Sequence, residues 1–217
     1  MAEILRIAID GPSGAGKSTI AKLVAKKLGV EYVDTGAMYR AVGYKMKNLG
    51  IDPEDTESVE RTLAETEIDF DNGVIRLDGE DVSGVIRTPE VSAAASVYSA
   101  LPPVREKLVE IQRAIGHKKS VVMDGRDIGT NVFKDAQFKF YLTASAEERA
   151  RRRWKELCEK GEEKEFSEIL ADIEQRDYND MHRKLNPLQQ AEDAILVDST
   201  EMTIEEVVDT IYNAITR

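Results

Sequence analysis

The sequence is short of the residues that staple small secreted or metal-rich domains. Its single cysteine, Cys158, allows no intramolecular disulfide, so a reducing, cytoplasmic compartment is expected. The histidines, His117 and His182, make no zinc-type cluster with that cysteine. No apolar run approaches the ~20 residues needed to cross a bilayer, so no membrane partner is expected. The apolar stretch at 4–9 is too short for a signal-peptide core and is broken by Arg6, so no signal peptide is expected either. An excess of positive charge is also missing: 30 Lys and Arg stand against 41 Asp and Glu, a net charge of −11. That balance argues against a nucleic-acid-binding surface. It leaves small anionic substrates open, because these need only a local cluster of arginine.

What is present fits a folded, soluble chain. The 217 residues are 41% hydrophobic and 33% charged, which excludes a disordered chain, and the length suits one domain or one core with an insertion. A monomer is expected. Short β-branched runs at 4–10, 31–34, 120–124, 138–143 and 194–198 predict five strands. Helical spacing predicts helices over 17–28, 36–49, 56–65, 89–98, 104–115, 146–160, 166–184 and 204–216. In the first of these Ile20, Leu23, Val24 and Leu28 are expected on one face. In the helix at 166–184 the expected buried stripe is Phe166, Ile169, Leu170 and Ile173. Strands alternating with helices predict an α/β fold, a mostly parallel sheet covered on both faces, with its site at the carboxyl ends of the strands. Asp10, Asp34 and Asp124 end three of those strands.

Residues 66–88 interrupt the alternation. Asn72-Gly73 lies between two alternating runs, and Leu77-Asp78-Gly79 offers a second turn. A small β insertion at 66–88 is expected, either decorative or functional, with the core formed by 1–65 and 89–217.

The strongest motif is Gly11-Pro12-Ser13-Gly14-Ala15-Gly16-Lys17-Ser18, followed by Thr19. It matches G-x-x-x-x-G-K-[ST] in full, between a predicted strand and a predicted helix. The glycines let backbone N–H groups close around phosphate oxygens, and the helix N-terminus adds partial positive charge. Lys17 supplies a full charge for the β and γ phosphates, and the Ser18 hydroxyl is a ligand for Mg²⁺. A P-loop implies a nucleotide, not a reaction. The N-K-x-D element of GTPases is missing: Asn131, Lys134 and Asp135 have the letters at the wrong spacing. A small ATP-dependent kinase acting on a small acceptor remains.

Candidates for the second substrate follow. Val121-Val122-Met123-Asp124 is an apolar strand ending in Asp, so Asp124 is expected to orient Mg²⁺, directly or through water, with Arg126 and Asp127 beside it. Arg40 opens a predicted helix near the sheet edge, where its fork suits a phosphate. Ser145 and Glu148 form a capping box, and Arg149, Arg152 and Arg153 share one face of the helix that follows. Those arginines either clamp a triphosphate or pair with Glu147, Glu148 and Glu156 on a solvated helix. With Gly161 as a hinge, 149–163 reads as a lid. Arg176, Asp180 and Arg183 lie at i, i+4 and i+7, either as a phosphate, sugar and base contact or as a surface ion pair.

Seven segments in order resemble the bacterial cytidylate kinases over nearly the whole chain. They are IDGPSGAGKST, DTGAMYR, LDGEDVSGVIRTPEVS, AAAS with ALPPVRE, DGRDIGT, ASAEERARRR, and the helix with Arg176, Asp180 and Arg183. The resemblance implies a P-loop NTPase fold with a five-stranded parallel sheet, a β-containing monophosphate-binding insertion and a helical arginine lid. It implies phosphoryl transfer from ATP, with Mg²⁺, to CMP or dCMP. Thr35, Arg40 and Arg126 would hold the CMP phosphate. Ser96, Arg105 and Asp127 would lie on the cytosine side or next to it. Arg176 and Asp180 would hold the sugar, and Arg183 the base or phosphate. Lys17, Arg126, Arg152 and Arg153 would be catalytic, the last two closing on the ATP phosphates. The chain departs from the family pattern at Pro103, where a relative can carry Arg, and at Ser18, where some carry Gly.

Overall fold

The structure is a computed structural model that describes residues 4–71, 73–159 and 161–216. In chain order its elements are β1 (Arg6–Asp10), α1 (Lys17–Leu28), β2 (Glu31–Asp34), α2 (Thr35–Asn48), α3 (Thr56–Ala64), β3 (Ile68–Asp71), β4 (Val74–Leu77), β5 (Glu80–Asp81), α4 (Pro89–Tyr98), α5 (Pro102–Lys118), β6 (Val121–Gly125), β7 (Phe138–Thr143), α6 (Ala146–Glu159), α7 (Phe166–His182), β8 (Ile195–Asp198) and α8 (Ile204–Thr216). A 3-10 turn at Val85–Arg87 and a π-helical turn at Ile128–Val132 complete them. The expected five-stranded parallel sheet with its helices is present. The chain divides into two compact units: Leu5–Val30 with everything from Val121 on, and Glu31–Ser120 with Ile4.

In the first unit four strands run parallel in the order β6-β1-β7-β8. Ile7, Ala8 and Ile9 of β1 and Val121, Val122 and Met123 of β6 are fully buried. Such continuous apolar runs mark strands covered on both faces. α1 packs with Ile20, Ala21, Val24 and Ala25 buried, while Leu23 is 40% exposed. The expected apolar face of this helix is therefore corrected. Leu23 is two residues from each alanine and turns to the opposite side. The helix ends at Gly29, left-handed, whose N–H returns to the last-turn carbonyls. In α7 Ile169 and Ile173 are buried, but Phe166, its first residue, is 37% exposed and drops out of the expected stripe. The π-helical turn spans five residues, too few for its buried Ile128 and Val132 to register as a periodic pattern. Its Val132 and Phe133 N–H groups reach back five residues to Asp127 and Ile128.

Gly11 follows β1 and passes close to β7. A Cβ placed there would sit on the Leu142 carbonyl oxygen. Backbone cannot yield as a flexible side chain does, so Gly11→Ala is expected to lower stability by ~3 kcal/mol. The check is the urea midpoint of the ligand-free protein, which should fall with the slope unchanged.

The second unit is built on α2, which buries Ala37, Met38, Ala41, Val42 and Met46. The Asp34 side chain caps this helix, accepting from the Ala37 N–H at 2.8 Å. β3 and β4 form the expected antiparallel hairpin, pairing Phe70 with Ile75 and Ile68 with Leu77, and β5 adds a third strand. Asn72 of the expected turn lies outside the described residues, as does Lys160 beside the expected lid hinge. α5 starts at Pro102, two residues before its expected start, because proline suits the first helical position.

Candidate active site

β1 delivers the chain to the glycine-rich loop, and α1 begins at Lys17. Gly16 stands at the helix start in a left-handed conformation, with no side-chain cap and no acidic residue in the first turn. The leading N–H groups are thus not claimed by a capping side chain, the condition under which a helix end holds an anion. Lys17 is only 6% exposed, and its Nζ donates to the Pro12 carbonyl at 2.7 Å. Burial, followed by the nearby Arg126 guanidinium, pushes its ammonium down to about 7, against the pull of Asp124, Asp180 and Asp10. Ser18 Oγ donates to Asp124 Oδ2 at 2.8 Å, which ties the loop to the end of β6.

Asp10 is buried just before the loop. Its carboxylate accepts the Ile128 N–H at 2.8 Å and the Gly129 N–H at 2.7 Å. Burial nevertheless outweighs those bonds and pushes its carboxyl up to about 6. These two bonds fix the segment that leaves β6 carrying Arg126 and Asp127.

Arg126 Nε donates to Asp180 Oδ2 at 2.7 Å. Burial works against the guanidinium charge, yet Asp180 and then Asp124 outweigh it and hold the group above its ordinary range. For Asp180 burial also acts first, upward, and is overcome by Arg126, Arg183 and Arg176, so its carboxyl lies below the ordinary range. Arg183 caps α7 and reaches Asp127 Oδ1 at 3.1 Å and the Asn186 carbonyl at 2.7 Å. One unit therefore brings together Lys17, Ser18, Asp124, Arg126, Asp127, Asp180 and Arg183. Arg176 lies exposed on α7, close enough for its charge to act on Asp180.

The arginines of α6 divide among different partners. Arg149 is buried and donates to the Ser13 and Ala144 carbonyls. Arg152 contacts Glu148 Oε1 at 3.1 Å and the Ser199 carbonyl at 2.6 Å. Arg153 pairs with Glu156 at 2.8 Å. Of the two expected arrangements the pairing with Glu148 and Glu156 is present for Arg152 and Arg153, while Arg149 is buried against the loop.

Thr35, Arg40, Ser96 and Arg105 belong to the second unit. Arg40 Nη2 lies 3.1 Å from Asp34 Oδ2, and Arg87 Nη2 lies 3.6 Å from the same oxygen. Thr35 is buried at the start of α2. Arg105 is 1% exposed, donates to the Ser99 carbonyl at 3.3 Å and stands over the Tyr39 ring at 5.5 Å. Ser96 is half-buried on α4. Arg87 and Asp177 belong to none of the candidate sets above, Asp10 enters there only as a strand end, and Arg149 only as one of a row. Asp177 did leave a signal: it continues the i, i+4 row of Ile169 and Ile173, where a carboxylate needs a partner.

The cytidylate kinase family profile matches residues 7–217. The chain is 54% identical over 211 residues to a cytidylate kinase of Caldanaerobacter subterraneus subsp. tengcongensis, covering 97% of this chain and 94% of that one. It is 55% identical over 207 residues to a cytidylate kinase of Caldicellulosiruptor saccharolyticus, covering 94% and 92%. Among solved structures a shikimate kinase from Bacteroides thetaiotaomicron superposes with a TM-score of 0.51 at 15% identity, covering 99% of this chain and all of that one. That likeness shows the P-loop kinase fold.

Proposed function

The chain belongs to the cytidylate kinase family, and from that membership we propose that it transfers the γ-phosphoryl group of ATP to CMP or dCMP. The products are ADP and CDP or dCDP. The observation that carries this reading is a pair of cationic groups in one unit. Lys17 stands at the uncapped start of α1, and Arg126 and Arg183 stand nearby, each held by a carboxylate. Two such groups suit two phosphorylated substrates.

In this reading residues 11–19 cradle the ATP phosphates, and Lys17 follows the charge that moves during transfer. Arg126, Arg40 and Thr35 hold the acceptor phosphate. Asp180 and Arg176 hold the sugar, Arg183 the base or the phosphate, and Asp127, Ser96 and Arg105 lie on the cytosine side or next to it. Arg152 and Arg153 close on ATP from a lid at about 149–163, and 66–88 serves as the monophosphate-binding insertion of a core made of 1–65 and 89–217. The acceptor is already a phosphate anion, so no strong base is required. The rate comes from positioning and charge stabilisation.

Kinases of this family use Mg²⁺ with ATP. Ser18 Oγ and Asp124 Oδ2, adjacent hard oxygen donors, fit that ion. Among the described residues no group of three or more His, Cys, Asp or Glu could hold a metal by itself. This is the donor set expected where phosphate and water oxygens supply the other ligands. When bound, Mg²⁺ would neutralise phosphate charge. No described helix is long and apolar enough to cross a membrane. We further propose a cytoplasmic monomer without nucleic-acid partners, on the acidic charge and the lone cysteine.

A coupled ADP-release assay with CMP, dCMP, UMP, AMP and shikimate tests the reading. Turnover with CMP and dCMP is expected. Equal ADP release with no acceptor would overturn it.

Lys17 also sets a pH dependence. Its ammonium, near 7 without nucleotide, is largely neutral at pH 8. Bound triphosphate favours the charged form, and the phosphate oxygens, with a pKa of ~6, are already ionised at that pH. ATP binding at pH 8 is therefore expected to take up most of a proton, and much less at pH 6. Titration calorimetry in buffers of different ionisation enthalpy reads this directly. An apparent enthalpy independent of buffer at pH 8 would contradict it.

A further inference from the structure

We propose that Arg149 and Asp177 are positioning residues that lock Ser13, the third residue of the phosphate cradle, in a single orientation. ATP binding then depends on the first turn of α6 and the middle of α7. The inference rests on reading residues 11–18 as the ATP cradle.

Both peptide groups of Ser13 are taken. Its N–H donates to Asp177 Oδ1 at 3.2 Å, and its carbonyl accepts from Arg149 Nη1 at 2.8 Å. The ring closes through Arg149 Nη1 and Asp177 Oδ2 at 2.6 Å. Arg149 Nε is anchored on the Ala144 carbonyl at 2.9 Å, at the end of β7. The two side chains are 6% and 12% exposed, so water competes little for these bonds. Beneath them the loop rests on the same helices. A Cβ on Gly14 would meet Arg149 Cβ at 3.3 Å and Ile173 Cδ1 at 3.8 Å. Ala150, Leu157, Ile169 and Ile173 pack α6 onto α7.

Stability alone is a poor reason for this pair. A buried ion pair roughly breaks even against apolar residues of the same volume. A lone carboxylate beside an anion site would also repel the phosphates, and Arg149 removes that repulsion by neutralising Asp177. The pair does what apolar residues cannot: it orients a peptide unit from both ends. An N–H held by Asp177 is not offered to phosphate, which leaves the later N–H groups of the loop to do so. A cradle fixed before the nucleotide arrives needs no reorganisation on binding.

The test uses the full chain and the variants Arg149→Lys, Asp177→Ala and Asp177→Asn. Lysine keeps the charge but not the fork that reaches Ser13, Ala144 and Asp177 together. Asparagine keeps an acceptor for the Ser13 N–H. For Arg149→Lys and Asp177→Ala, the KM for ATP and the calorimetric Kd for ADP are expected to rise about tenfold, the loss of a charge-assisted hydrogen bond. The KM for CMP is expected to stay within about twofold, and Asp177→Asn is expected to recover most of the ADP affinity. A fall in Tm with ADP affinity unchanged would overturn the proposal. So would equal shifts for ATP and CMP. If Asp177→Ala does not fold, Arg149→Lys decides alone. ADP affinity is read without an acceptor, so failure of the CMP assignment would show separately, as a wild-type chain that binds ADP but does not turn over CMP.

Discussion

Lys17→Ala is expected to lower kcat about a thousandfold, a loss of ~4 kcal/mol of transition-state stabilisation. The lysine is the only side-chain cation that the loop itself contributes, and 6% exposure leaves it almost unscreened. Charge migrates from the γ-phosphoryl toward the leaving β-phosphate during transfer, so a mobile ammonium counts most in the transition state. Stability should move the other way. Folding lowers the lysine pKa from 10.5 to about 7, so between those values the unfolded chain binds the extra proton and stability rises with pH. Near pH 7 this group therefore opposes folding. Lys17→Met, which keeps the stem and drops the charge, should be as stable as wild type or more so near pH 7, with kcat as low as in Lys17→Ala. A variant with near-native kcat would remove Lys17 from the chemistry.

The second large effect belongs to Asp180. Asp180→Ala is expected to raise the KM for CMP by ~10–100-fold, the range for losing a hydrogen bond to a charged group, while the KM for ATP changes by less than about threefold. The carboxylate holds Arg126 through Nε at 2.7 Å, so its loss both removes the proposed sugar acceptor and frees the guanidinium proposed to grip the acceptor phosphate. The asymmetry arises because the hydrogen bonds of Lys17 and Ser18 go to Pro12 and Asp124, and Asp180 acts on Lys17 only through its charge. Initial rates with each substrate varied at saturating levels of the other measure the split. Equal effects on both substrates would assign Asp180 a general structural role.

Local chemistry made part of this molecule legible in the sequence. The loop from Gly11 to Ser18 announces itself because glycine placement, lysine and serine act within eight residues, and the hairpin at β3–β4 rests on an equally local alternation. Buried acceptors were harder. Asp10 meets Ile128 and Gly129 across 118 and 119 positions, and Asp177 meets Ser13 across 164, so no local pattern announces either bond. The π-helical turn follows from the same fact: its shape is set by bonds to Asp10 rather than by its own periodicity. Spacing put Arg149, Arg152 and Arg153 on one face correctly as geometry, but spacing does not choose partners. Ser13, Ser199 and Glu156 chose them.

The reaction is transfer to a nucleotide acceptor rather than release of phosphate to water. It is tested most directly by following labelled γ-phosphate from ATP in the presence of CMP. Label is expected in CDP, one equivalent for each ADP formed, with little in inorganic phosphate. Label accumulating as inorganic phosphate while CMP stays unchanged would contradict the account.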